Sequence, residues 1–165
     1  MKKIIVLMCM FLPFGVFSQE AKIAVVNAAE IFNMMPELDD VDNQLAILST
    51  QYQNDLQSMQ ADLTAKNDEY IKIQETLPEN LKLRRQEEMQ QIYERIQNLY
   101  TVAQQDIEQK RIELMEPIEE KITKAIQEVG AEQGYTFIMN NQMMLYVSPS
   151  AIDATQLVKT KLGLR

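Results

Sequence analysis

The sequence has no histidine, no tryptophan and a single cysteine, Cys9, and only four glycines and five prolines among 165 residues. Each shortage removes chemistry. Without imidazole there is no Ser-His or Cys-His nucleophile pair and no ordinary His-ligated zinc or haem centre. One cysteine cannot form an intramolecular disulfide, so stability must come from packing or from oligomerisation. Carboxylate pairs are plentiful, but none sits in a Gly-rich, phosphate-cradling loop or a pocket-forming α/β pattern, so no catalytic role and no cofactor are expected. Aromatic residues make up 7% of the chain, which is rich in Gln and Glu. A chain with so few turn-forming residues leans towards long helices. With 24 acidic and 16 basic groups the net charge is -8. A negative chain is a poor candidate for general nucleic-acid binding, which depends on neutralising phosphates.

The N-terminus has the layout of an export signal. Lys2 and Lys3 precede an uncharged run from Ile4 to Phe17, and polar sequence follows at Gln19. That run is too short for a membrane anchor, so export with cleavage near Ser18 is expected. Cys9 lies within the apolar run behind Met8, which is not where a lipoprotein cysteine belongs. The mature chain then lacks cysteine and carries 14 basic against 24 acidic groups, a charge of -10.

Four segments are expected: the signal at 1–18, a first part of a body at 19–36, a helical arm at 37–116 and a second part of the body at 117–165. Lys22-Ile-Ala-Val-Val-Asn27 is a short β-branched run that reads as a buried strand. Asn27 and Glu30 have capping-box spacing, which predicts a short helix from Ala28 to Met35, stopped by Pro36. Between Glu37 and Gly130 there is no glycine, and apolar residues recur at three- and four-residue steps through Leu38, Val41, Leu45, Leu48, Tyr52 and Leu56 to Leu77. Lys66 occupies one position of that stripe. A second stripe runs from Met89 through Ile92, Ile96, Leu99 and Ala103 to Ile122. Two such stripes joined around Pro78 predict an antiparallel helical hairpin reaching about 60 Å. The run Leu48, Tyr52, Leu56 departs from the heptad by one residue and should locally relax the supercoil. Pro117 should kink the returning helix, and Gly130 and Gly134 should close it. Beyond them, Tyr135–Asn140 and Met143–Ser148 read as a β-hairpin about Asn140-Asn141-Gln142, and Asp153 should cap a last helix through Leu162. The fold class expected is therefore α+β, with a small antiparallel body and a long coiled-coil arm inserted in it.

The segments outside the arm amount to only about 65 residues, too few for a secure core, and their short strands leave edges unpaired. Other copies of the chain should complete the body, through Ile23, Val25, Phe137, Met139 and Leu145. Off the arm's seams stand Ile47, Ile71, Leu83, Tyr93 and Tyr100, for which singly exposed apolar residues are the plainer reading. Lys66, Lys72, Lys82, Arg84 and Arg85 make the arm's tip slightly positive, so the tip is the part suited to an anionic surface or guest, although an ordinary solvated tip has the same composition. Met34-Met35 and Met143-Met144 read as core rather than as a soft binding surface. Asp39, Asp40 and Asp42 lack the glycine and terminal glutamate of a calcium loop and suit the start of a helix instead.

In order and spacing the chain resembles the Skp/OmpH family of periplasmic chaperones. The likeness rests on Lys22 to Asn27 with Ile31-Phe32 and Pro36-Glu37, on Pro117-Ile118 with Ile122 and Ile126, on Gly134-Tyr135-Thr-Phe-Ile, and on Asp153-Ala-Thr155 with Val158 and Leu162-Gly163. It covers essentially all of the mature chain. The resemblance implies a homotrimer whose hairpins enclose a cavity. It also implies an ATP-independent holdase that binds unfolded outer-membrane proteins and passes them to the outer-membrane insertion machinery, and for such a guest Ile47, Ile71, Leu83, Tyr93 and Tyr100 are candidates for weak, multivalent contact. The family's best-known members are strongly basic, whereas this chain is acidic, so contact with lipopolysaccharide or anionic membrane is not carried over. An exported coiled-coil adaptor of the cell envelope is the competing reading; it would show a closed seam and one compact apolar patch. A helix lying on the membrane would need a basic polar face, which the arm lacks.

Overall fold

A computed structural model describes residues 21–164. The expected signal segment, its cleavage point at Ser18 and Cys9 lie outside the described residues. The element order is β1 (Ile23–Val26), α1 (Ala28–Asn33), α2 (Glu37–Ile73), α3 (Glu79–Gln133), β2 (Phe137–Asn140), a 3-10 turn (Asn141–Met143), β3 (Ile152–Asp153) and α4 (Thr155–Lys161). This is the α+β arrangement read from the sequence, with a two-helix arm between the parts of a small body.

The body is built around β1. Its β-branched residues favour an extended chain with both faces covered, and Ala24 and Val26 are buried. β1 is the central strand of a three-stranded sheet in the order β2-β1-β3. Both neighbours run parallel to it, with Ile23 opposite Phe137 and Ala24 opposite Ile152. The expected antiparallel hairpin is therefore not the one formed. A two-residue hairpin turn of the favoured type needs positive φ at its centre, and among the described residues only Gly134 and Gly163 have it. Instead the Asn140 side chain accepts a hydrogen bond from the Gln142 amide at 3.2 Å and starts the 3-10 turn. The chain then passes to the far edge of β1, and Met143 to Ser148 find no strand partner among the described residues.

Backbone contacts pin both ends of β1. The Thr136 amide donates to the Lys22 carbonyl at 2.7 Å, and the Ala154 amide to the Val25 carbonyl at 2.8 Å. The Lys22 ammonium donates to the Gln133 carbonyl and lies 4.6 Å from the centre of the Tyr135 ring, a favourable cation–π placement. Asn27 caps α1 as expected. Its side-chain oxygen accepts from the Glu30 amide at 3.1 Å, and its amide nitrogen donates to the Glu30 carboxylate at 3.2 Å. The Asn27 backbone amide is satisfied elsewhere, by the Thr155 hydroxyl at 2.9 Å. The Asp153 carboxylate accepts from the Thr155 amide at 2.8 Å, but Ala154 takes the cap position of α4.

One core joins the body to the root of the arm. Ile31, Ala154 and Val158 are completely buried, packed with Met35, Val41, Leu45, Ile118, Ile122, Ala125 and Val129. Beyond the root, α2 and α3 meet along the two stripes. At 37 residues α2 spans about 55 Å. Pro78 takes the position just before α3, and its carbonyl receives the amides of Leu81 and Lys82. Pro117 removes one donor from the ladder of α3 without ending the helix, which runs on past Gly130. Gly134 alone closes it: with φ at 65° it lets the Tyr135 amide return to the Gly130 carbonyl at 3.0 Å.

Candidate functional site

Every seam residue expected on the arm is buried or half-buried, Lys66 included, while the residues between are mostly exposed. The seam defines the arm's other faces, because a residue directly after a seam position turns about 100° to one side of it. Near the root these positions are charged, with Asp39 and Asp42 on α2 and Glu108 on α3, but along the outer part of the arm those of α2 and its C-cap are Ala46, Ser49, Gln53, Gln57, Gln60, Thr64, Asn67, Ile71 and Gln74. On α3, where the half-buried Lys82 and Arg85 continue the stripe ahead of Met89, they are Leu83, Gln86, Gln90, Tyr93, Gln97, Tyr100 and Gln104. In an antiparallel pair the two sets lie on the same side. Thr64 and Asn67 of α2 accordingly share one groove with Gln86, Gln90 and Tyr93 of α3, over Leu63 and Met89 of the seam.

None of these outer positions is charged, although 46–74 and 83–104 together contain twelve charged residues. The charges stand in the seam or on other faces; the groove of Gln91, Glu94, Arg95 and Asn98 is one example. The neutral face was not read from the sequence as a unit. The signal that would have found it is the heptad position one past each seam residue. Of the five off-seam candidates, all exposed, Ile71, Leu83, Tyr93 and Tyr100 belong to this face. Ile47 directly precedes Leu48 and projects to the other side.

The basic cluster at the tip is largely internal. Lys66 pairs with Glu88 at 2.8 Å, Lys82 with Glu79 at 3.4 Å, and Arg85 with Glu69 and Glu88 at 3.6 and 3.5 Å. Only Lys72 and Arg84 of the five form no ion pair among the described residues. The hydrogen bond with Glu88 holds the Lys66 ammonium above its usual pKa, and the same bond keeps the Glu88 carboxyl below the usual carboxylate value. Further down the arm the Tyr52 hydroxyl donates to Asp106, which raises the phenol's pKa. At the root the Lys121 ammonium donates to Glu37 and depresses that carboxyl. These polar clasps fix the register of α2 against α3 at three heights. Glu37, Asp39 and Asp40 occupy the first turn of α2, where acids meet the positive end of the helix dipole. Among the described residues no group of three or more acidic or thiol side chains is placed to hold a metal ion, and no helix is long and apolar enough to cross a membrane.

The body carries the second exposed apolar area. The register places Ile23, Val25, Phe137 and Met139 on one sheet face, opposite the face that packs on the core. Val25 is covered in the single chain, but Phe137 remains 59% exposed and Ile23 and Met139 are also open. Leu145, wholly exposed, and Met143, 86% exposed, lie in the unpaired segment after the 3-10 turn. The core assignment of the methionines therefore holds for Met35 but not for Met143 or for Met34, which caps α1 and is exposed. Met143 was read as starting a strand whose face would be covered, and no such strand forms among the described residues.

An α-helical hairpin inserted into a small parallel-stranded body defines the class of protein. The family model described as outer membrane protein (OmpH-like) matches residues 22–162, and the chain belongs to that family, which is not one of enzymes. The chaperone protein Skp of Yersinia enterocolitica is 26% identical over 132 residues, covering 80% of each chain. That of Photorhabdus luminescens is 28% identical over 152 residues, covering 91% of this chain and 92% of its own. The crystal structure of an OmpH-like outer membrane chaperone from Caulobacter crescentus superposes with a TM-score of 0.74 at 14% identity, over 87% of this chain and 84% of that one. This last likeness establishes the fold.

Proposed function

We propose that the protein is an ATP-independent periplasmic holdase that works as a homotrimer and keeps unfolded outer-membrane proteins soluble between its arms. The observation that carries the reading is an uncovered apolar sheet face at the root of a long, solvent-exposed arm. Among the described residues nothing covers Phe137, Ile23 and Met139, and Met143 to Ser148 is a strand-like segment with no strand to pair with. A second and third copy supply both: apolar cover for the face and an edge for the segment. Three arms rooted in one such body then surround a space. The exposed apolar side chains of the arms give many weak contacts, each worth less than the roughly 1.5–3 kcal/mol of a fully buried side chain. Binding of this kind is multivalent, exchanges quickly and imposes no single shape on the guest. The names of the relatives agree with a chaperone's work, and release of the guest to the outer-membrane insertion machinery follows from the same reading.

The test is dilution of a urea-unfolded outer-membrane β-barrel protein into buffer with and without the mature chain. Suppression of light scattering at about one trimer per guest, without nucleotide, is the expected result. No suppression, together with a tight complex with one folded envelope protein, would establish an adaptor instead.

A further inference from the structure

The neutral face of the arm has a composition that its neighbours do not share, and composition at a surface decides what can be laid on it. We infer that this face, and not the arm's surface at large, is where the guest is held, and that it selects uncharged, strand-forming segments of an unfolded membrane β-barrel protein. The inference rests on the holdase reading and adds to it the surface and the chemistry of the segment bound.

Three observations support it. On the outer part of the arm none of the twelve charged residues of the two segments occupies a position of the face, although the Gln90 amide at its edge donates to the Glu94 carboxylate at 3.0 Å, so its neutrality does not reflect a scarcity of charge. Four of the arm's seven exposed large apolar side chains lie on it, namely Ile71, Leu83, Tyr93 and Tyr100. Most of the remaining positions are Gln, Thr, Asn or Ser, each able to donate and to accept a hydrogen bond. A face that is wetted and dried repeatedly as a guest shifts along it must not bury charge, because desolvating an ion costs far more than desolvating an amide that finds a partner. The guest that fits is equally uncharged. The membrane-spanning strands of a β-barrel alternate apolar and polar residues, so Tyr and Leu can take the apolar side chains while amides meet the exposed backbone. The rest of the net-negative molecule repels acidic loops and leaves such segments the preferred ones.

The experiment compares two double variants of the full mature chain that add the same charge on opposite faces. Q90E with Q97E places two carboxylates on the neutral face, and Q91E with N98E places two on the face that already holds Glu94 and Arg95. The chain has no tryptophan, so binding can be followed by the tryptophan fluorescence of an outer-membrane protein diluted from urea. The first variant should raise the dissociation constant at least about tenfold and the second by less than about twofold, with the parent's affinity nearly unchanged between about 50 and 300 mM salt. Equal weakening by both variants, or a parent affinity that collapses with salt, overturns the neutral-face assignment while the holdase reading stands. A parent protein that binds no unfolded guest overturns both.

Discussion

Leu145 is the sharpest place to test whether copies of the chain join through the body. In the single chain its side chain is wholly exposed, so replacing it by serine removes no packing from the protomer. If Leu145 is covered in the assembly, each copy gains about 1.5–3 kcal/mol from burying it. A trimer contains three such side chains, which makes about 5–9 kcal/mol, or roughly three to six powers of ten in the dissociation constant of the trimer. Sedimentation equilibrium over a wide range of loading concentrations reads that constant directly. The parent should remain trimeric at the lowest concentration accessible, and Leu145→Ser should dissociate at micromolar concentrations or above. Far-UV circular dichroism should still show the helical arm, which closes its own seam. A variant whose association matches the parent's within about threefold would refute the reasoning, since so small a change is less than 1 kcal/mol.

Two glycines, Gly130 inside α3 and Gly134 just beyond its end, should respond in opposite directions to alanine. Gly134 has φ at 65° with open space around a new Cβ, so Gly134→Ala should cost about 1–2 kcal/mol through backbone strain alone, read as a lower urea midpoint. Gly130 is inside the helix, and a Cβ there meets the Ile138 Cδ1 at an ordinary 3.5 Å; Gly130→Ala should therefore raise the midpoint by up to about 1 kcal/mol of helix propensity, and changes of the same sign would contradict this account of the helix end. The Lys66–Glu88 clasp should make the tip sensitive to acid. Because the Glu88 carboxyl is held below its ordinary value of 4.5, its contribution is complete above that pH and is lost as the pH falls through the depressed value. The Lys66 ammonium, held above 10.5, keeps its share until strongly alkaline pH. Urea titrations should show the parent losing more stability than Glu88→Gln between about pH 7 and pH 3, and equal losses would show that the clasp does not hold the helices together.

The arm was legible because a coiled-coil seam is a local, repeated signal. Each stripe position from Leu38 to Ile122 could be named from spacing, and the half-buried state of Lys66 followed from the same register. The cap at Asn27 was equally local, whereas Asp153, expected to cap α4, ends β3 and reaches only the Thr155 amide while Ala154 takes the cap position. The sheet was not legible in this way. β1 pairs with residues more than 110 positions away, and the direction of pairing depends on whether Asn140-Asn141-Gln142 turns back sharply. Those residues keep negative φ and form a 3-10 turn instead, which sends the chain to the other edge. The neutral face was present in the sequence but visible only once the seam was fixed, because it is defined by what is missing from one side. Charge at the tip was misleading for the opposite reason. Composition counts Lys66, Lys82 and Arg85 as available cations, whereas across the hairpin or one turn along it each faces a carboxylate that neutralises it.

The measurement that bears most directly on the central claim is the stoichiometry of the loaded protein, taken by native mass spectrometry of the mature chain mixed with one unfolded outer-membrane β-barrel protein and no nucleotide. Three copies of the chain with one guest is the result predicted. A single copy that remains alone, whatever the amount of guest, would contradict it.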